Sequence, residues 1–215
     1  TTDLTGTSAG YKVFAVIVLI LVSIFFLFPL YWIATGSFKP ITEITAREPI
    51  WFPIEPTLDN YARLFEHPAF RWLFNIVFLS FAAMVLTCIT ASLAGYALAK
   101  KRFIGRALLF TIIICAMALP KQVIVIPLNQ EMTNIFHLND TLWAVILPTV
   151  GWPFGVFLMK QFAETIPTEI LEAARVDGAG EVRTFVTVVL PMIKPGIGAL
   201  AIFTFVNTWN DYFLQ

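Results

Sequence analysis

Charge is scarce in this chain. Of 215 residues, 14 are Lys or Arg and 14 are Asp or Glu, 13% in all, where a soluble domain carries roughly a quarter. The two signs balance, which argues against nucleic acid as a partner. Cysteine is scarcer still. Cys88 and Cys115 both lie within apolar runs, so neither a disulfide framework nor a metal knuckle is expected. The two histidines, His67 and His137, belong to separate polar segments, and no H-E-x-x-H is present. An intramembrane enzyme would need a nucleophile–base pair or a ligand cluster. A phosphate-binding G-x-x-x-x-G-K-[ST] loop is also missing, so any ATP used is hydrolysed by another polypeptide. Internal repeats, low-complexity tracts and mid-span carboxylates are absent too, which disfavours a secondary transporter driven by an ion gradient. A receptor or scaffold without transport stays compatible with these absences.

What the chain has in excess is apolar surface. It is 58% hydrophobic with a mean hydropathy of +0.80. A soluble core of this length would leave large patches exposed; lipid as solvent removes the difficulty. Uncharged runs cover 13–38, 72–99 and 141–159, and a fourth starts at Pro195. A shorter run, 107–120, is extended past Lys121 by 123–128. About 20 apolar residues cross the hydrocarbon core, which predicts five spans at about 13–35, 73–99, 107–128, 141–160 and 196–215. The first is too long and too aromatic for a cleaved signal peptide. The fold class expected is all-α, a polytopic transmembrane helical bundle forming one domain over 1–215.

Orientation follows from the basic residues at span ends. Lys100, Lys101, Arg102 and Arg106 crowd the turn between spans two and three, which places that turn and the N-terminus in the cytoplasm. Segments 39–71 and 130–140 then lie outside, and 160–194 lies inside. Tyr31, Trp32, Trp72 and Trp143 fall near outer ends, as an aromatic belt would. The proline-rich segment 41–70 reads as a folded loop or short helices, either a docking surface or a simple connector.

The cytoplasmic segment 163–190 carries the most information. Pro167 suits a helix start, Glu169 and Glu172 complement the dipole of its first turns, and Gly178 is a natural stop. A short helix is expected over 168–177. A second should follow, with Val182, Phe185, Val186 and Val189 on one face and Pro191 as its end. Ala173 and Ala174 leave room for close approach by another surface. The alternating charges of Glu172, Arg175, Asp177, Glu181 and Arg183 suit a soluble protein partner better than anionic lipid. The residues alone fit a solvated interfacial helix pair equally well.

Glu172-Ala173-Ala174, Gly178 after three intervening residues, and Val188-x-Leu190-Pro191 after nine more resemble the E-A-A-x3-G-x9-I-x-L-P loop of binding-protein-dependent ABC importer permeases. Valine stands where isoleucine is usual. Pro56-Thr57-Leu58-x-Asn60-Tyr61, Gly95-Tyr96-Ala97-Leu98-Ala99 before basic residues, and Trp209-Asn210-Asp211 resemble the carbohydrate-uptake branch, and within it the maltose-type G-like half of a permease pair. The resemblance covers nearly the whole chain. It implies a type I importer (MetI-like) permease fold with six spans, so one more span is expected beyond the five. It implies as partners a second homologous permease, two ATPase subunits carrying ATP and Mg, an extracytoplasmic solute-binding protein and a carbohydrate, with no cofactor on this chain. The location implied is the cytoplasmic (inner) membrane of a bacterium or archaeon. Carried over by motif, Glu172, Ala173, Ala174, Asp177, Gly178, Leu190 and Pro191 form the ATPase-coupling site.

The solute path is read from intramembrane polar residues. Asn75, Asn207, Trp209 and Asn210 are the candidates, an amide beside an indole being suited to sugars. Ser80, Thr87 and Asp211 are weaker ones. Against each stands a structural role: Ser and Thr bond their own helix, Asn bridges helices, and Asp211 can face outer water. A monosaccharide or glycerol phosphate is the alternative solute. A phosphate would want a fixed cation, for which Lys121, otherwise free to snorkel outward, is the near-membrane candidate. Pro29, Pro120 and Pro153 mark interruptions of spans, and Gly95 and Gly155 close helix approach.

Overall fold

A computed structural model describes residues 9–211, and every regular element among them is helical. In chain order these are α1 (Ala9–Gly36), α2 (Ile41–Ile44), α3 (Asp59–Glu66), α4 (Ala69–Lys100), α5 (Arg106–Met117), α6 (Lys121–Asn134), α7 (Trp143–Val150), α8 (Pro153–Glu164), α9 (Thr168–Val176), α10 (Glu181–Thr184), a π-turn (Phe185–Val189), α11 (Leu190–Met192) and α12 (Lys194–Trp209). Three continuous stretches, Gly10–Gly36, Ala69–Lys100 and Trp143–Glu164, are long and apolar enough to cross a membrane, and two bent pairs raise this to as many as five. The chain divides after residue 69 into two compact units.

In the first unit α1 is apolar on every side, as a helix in lipid is. Pro29 lies within it without ending it. The segment after α1 is folded, held by side chains that bond backbone. The Lys39 ammonium is buried, donates to the Ile50 carbonyl (2.5 Å) and lies over the Trp32 ring. The Asn60 amide donates to the carbonyls of Ser37 and Lys39 (3.0 and 2.8 Å), and the Glu43 carboxylate accepts from the Ile54 and Glu55 N–H groups. The run 56–61 thus has a local role: Thr57 Oγ1 accepts from the Asp59 N–H, and Tyr61 donates to Ser37 Oγ.

In the second unit α8 is central. A methyl added to Gly95 on α4 would lie 2.6 Å from the Lys160 nitrogen, so α4 and α8 touch backbone to backbone. Gly196 on α12 seats the Phe162 ring, and Gly155 faces Thr87, Ala91 and Leu200. On a third side, Phe110 of α5 stacks on Phe157, and the Lys160 ammonium lies 4.2 Å from the centre of the Phe110 ring. Small residues let helices pack where lipid gives no hydrophobic drive for their association.

The third apolar stretch is interrupted at Pro120, as its proline implies. Pro120 adopts an extended conformation (ψ 134), and α6 leaves α5 at 109°. Proline has no N–H and disfavours helix in the residue before it. One expectation needs correction: Pro191 does not end the second cytoplasmic helix, which continues to Met192. A π-turn precedes it: Leu190 N–H bonds five residues back to Phe185, whereas Ile193 N–H bonds four back to Val189. The missing donor of Pro191 falls where the bonding pattern changes. The buried stripe runs through Thr184, Phe185, Val188 and Val189, so Val189 is buried while Val182 and Val186 are exposed.

Candidate functional site

The segment expected to couple is built on α9. It runs from Thr168 to Val176 with Asp177 as its C-cap, one residue short of the expected end. Gly178 adopts a left-handed conformation (φ 77); its N–H bonds the Arg175 carbonyl and the Ala179 N–H bonds Ala174. This is a glycine-dependent helix stop. Glu172, Ala173, Asp177 and Gly178 are exposed on one ridge, with Ala174 half-buried. Beside them Val176 is 87% exposed and Val182 78%. Leu190 and Pro191 are not on this ridge. They lie in the helix leading to α12, beside the buried residues Val189 and Ile193.

Leu171 faces the other way. It is buried and joins a core with Ile166, Val189, Ile193, Leu200 on α12, Met159 on α8, and Ala91 and Tyr96 on α4. The basic turn adds polar clamps. Lys100 donates to the carbonyls of Glu164 and Ile166 (3.2 and 2.6 Å), which lie at and just beyond the end of α8. A cation there also complements the helix dipole. Lys101 pairs with Glu181, lies over the Tyr96 ring, and shares Glu181 with Arg175 (3.7 Å). The hydrogen bond from Lys101 holds the Glu181 carboxyl below the usual carboxylate range, with help from Arg175. Sequence reasoning used Lys100 and Lys101 only as markers of side. That they bind α8 and the coupling segment depends on contacts more than 60 residues apart, which no local pattern encodes.

At the opposite end of α8 lies a cavity of about 480 Å³. Its wall is mainly apolar, with Trp152 and Phe154 side by side (ring centres 5.0 Å apart). Into it project Lys121, Asn207 and Asp211. The Lys121 ammonium donates to Asp211 (2.7 Å) and Asn207 (3.2 Å), and the Asp211 side chain is only 9% exposed. This corrects two sequence readings: Lys121 does not snorkel away, and Asp211 does not face open water. A cation at the first residue of a helix opposes the dipole, and the buried carboxylate offsets that cost. Thr87 has a structural part here. Its hydroxyl donates to the Thr149 carbonyl (3.4 Å), which also accepts from the Trp152 N–H (3.1 Å) where the helix gives way before Pro153.

A wider cavity, about 1050 Å³, opens between the start of α4, the end of α6 and the loop before α7. Arg71, Asn75, Asn129 and Asp140 line it, and both His137 and Asp140 in that loop have positive φ (53 and 57). The four pathway candidates therefore do not converge. Asn75 lines the wide cavity, Asn207 the smaller one, and Trp209 and Asn210 a shallow recess elsewhere. Asn210 donates to the Val206 carbonyl of its own helix (2.8 Å).

Residues 88–215 match the family profile described as binding-protein-dependent transport system inner membrane component. The chain is 34% identical over 207 residues to the arabinooligosaccharides transport system permease protein AraQ of Bacillus subtilis, covering 94% of this chain and 73% of that one. It is 33% identical to the diacetylchitobiose uptake system permease protein NgcG of Streptomyces coelicolor, over 91% of this chain and 65% of the relative. Among solved structures, a bacterial ABC transporter involved in the import of the acidic polysaccharide alginate matches with a TM-score of 0.75 at 25% identity, over 95% of this chain and 73% of that one.

Proposed function

Because the chain belongs to the family of binding-protein-dependent transport system inner membrane components, we propose that it works as a permease subunit of an ATP-driven importer of sugars, oligosaccharides first among them. Its location in this reading is a cytoplasmic membrane, with the N-terminus and the α9 end on the cytoplasmic side. The basic cluster from Lys100 to Arg106 supports that orientation. The observation that carries the reading is the exposed ridge of α9, stopped at Gly178 and anchored through Leu171 into α4, α8 and α12.

The energy comes from ATP and Mg on separate ATPase subunits, two of them, with a second homologous permease completing the membrane part. Glu172, Ala173, Ala174, Asp177 and Gly178 meet the ATPase, with Glu172 paired to a basic residue there. Leu190 and Pro191 carry the load from the ridge to α12. When the ATPase pair closes on ATP it moves α9. Leu171 and the clamps of Lys100 and Lys101 pass that movement to α4 and α8, and the bundle switches access as a rigid body. A loaded solute-binding protein supplies the second bias, since only ligands that distinguish the two states shift their balance. Both named permease relatives carry oligosaccharide uptake in their names, which supports sugar over glycerol phosphate.

Two measurements test this. A tagged copy should bring down an ATPase and a second permease from solubilised membranes. Glu172→Lys should keep membrane insertion and abolish uptake; normal uptake by that variant would sink the coupling assignment.

A further inference from the structure

Within the first unit, the segment after α1 folds back along the helix it leaves. The Trp51 ring lies 6.0 Å from Phe28 and 5.9 Å from Trp32, centre to centre, and the Phe52 ring lies 5.9 Å from Tyr31. The Tyr31 hydroxyl donates to the Trp51 carbonyl (2.7 Å). These contacts fix the depth of the segment. Residues 13–36 of α1 measure about 36 Å at 1.5 Å per residue, and a hydrocarbon core of about 30 Å centred on them leaves about 3 Å at each end. Phe28 and Trp32 then lie about 9 and 3 Å inside that core, and Trp51 lies beside them.

The segment is also built inside out. Its cation is covered: Lys39 is 3% exposed, held between the Ile50 carbonyl and the Trp32 ring. Its large apolar side chains are open: Trp51 is 56% exposed, Phe52 70% and Ile54 73%. A loop in water would turn the lysine out and the rings in. Irregular backbone is tolerated at membrane depth only where protein groups meet its donors and acceptors. From 53 to 57 every donor is removed or met. Pro53 and Pro56 have no N–H, Ile54 and Glu55 donate to the Glu43 carboxylate, and Thr57 donates to the Phe38 carbonyl (2.8 Å). The carbonyls of Ile50 and Trp51 are met by Lys39 and Tyr31.

We propose that residues 49–54 form an aromatic flap seated in the lipid leaflet at the C-terminal end of α1, with Trp51, Phe52 and Ile54 among the upper acyl chains. Lipid is the occupant because the flap continues the all-apolar surface of α1, and because its depth matches the about 5–10 Å reached by interfacial elements. Arg47, Glu48 and Glu55 are exposed too; they stay among the headgroups and limit how far the flap sinks. The flap gives α1 a broad foot in the leaflet, and interfacial anchors of this kind set the tilt and rotation of a span. The proposal rests on α1 crossing the membrane, and on neither the solute nor the energy source.

The test is the accessibility of a nitroxide spin label on the assembled complex, in nanodiscs of phosphatidylethanolamine and phosphatidylglycerol, with all other cysteines replaced by serine. Oxygen concentrates in lipid, and a nickel chelate stays in water. Labels on Phe52→Cys and Ile54→Cys should be relaxed several-fold more by oxygen than by the chelate. They should resemble a label on Phe25→Cys, near the middle of α1, and oppose one on Arg63→Cys in α3. Phe52 packs on Tyr31; if Phe52→Cys fails to assemble, Ile54→Cys, the most exposed of the three, carries the test. Relaxation mainly by the chelate at the flap overturns the proposal and makes the segment a water-facing connector. Shielding from both reagents overturns it as well, and places a protein, the second permease or the binding protein, over the flap. Neither transport nor ATP hydrolysis enters the readout, so the importer reading can fail while the flap stands, and the reverse.

Discussion

The two ends of α8 are built on opposite principles. At the coupling end, Met159, Ala163, Leu171, Val189 and Ile193 are almost wholly buried, and Lys100 takes up carbonyls at and beyond the helix end. At the far end a cavity opens, bordered by aromatic rings, and polar bonds join the elements around it: Thr87 to Thr149, Lys121 to Asp211. The end that carries the α9 ridge is tightly packed, and the far end keeps room. Rigid elements transmit a displacement, whereas a binding site needs concave, partly unfilled space.

Substitutions can break this contrast. The largest effect is expected from Gly95→Leu, whose side chain would start inside the α8 backbone. Overpacking typically costs about 1–3 kcal/mol, and this case lies at or above the upper limit. Size-exclusion chromatography of solubilised complex should show little assembled material. Leu171→Ala comes next. Emptying a buried leucine site costs about 2–5 kcal/mol, and α9 should be released from the core. The variant should still insert, yet its ATPase should no longer answer to loaded binding protein.

Gly178→Ala tests the helix stop alone. A side chain at φ 77 costs about 1–2 kcal/mol, and nothing lies within 4 Å of the added methyl. Uptake should fall severalfold without loss of assembly. At the cavity end, Thr87→Val removes one bond to a carbonyl and should cost about 1 kcal/mol, seen as a drop of a few degrees in the thermal midpoint of the complex. If it costs as much as Leu171→Ala, the contrast between the ends fails.

The smallest effect belongs to Glu181. Its carboxyl titrates below the ordinary range because Lys101 donates to it. The folded state therefore gains from the charged form above the ordinary carboxylate pKa, and loses that gain as pH falls through the lowered value. The pair is exposed, and such pairs contribute little. Thermal midpoints of the native protein should fall slightly more than those of Glu181→Gln on acidification through the carboxylate range. Equal slopes would remove Lys101 from the clamp.

The sequence was most legible where structure is local. The start of α9 after Pro167 and its stop at Gly178 follow from proline and glycine chemistry within ten residues, and the apolar runs follow from the length of a membrane span. Legibility failed where a distant partner decides. Lys121 reads as a cation free to move outward until Asp211, 90 residues on, is set beside it. Pro120 announces an interruption of the third apolar stretch but not its 109° angle, since apolar residues continue on both sides of it. On the second cytoplasmic helix the inward stripe runs through Thr184, Phe185, Val188 and Val189, and the polar Thr184 at its start hid that face from a reading of apolar residues alone.

The contact at Gly95 has a consequence for how such a protein can be watched. With the backbones of α4 and α8 meshed there, the two form one lever arm. Spectroscopic rulers attached to that pair should read a constant separation throughout the cycle.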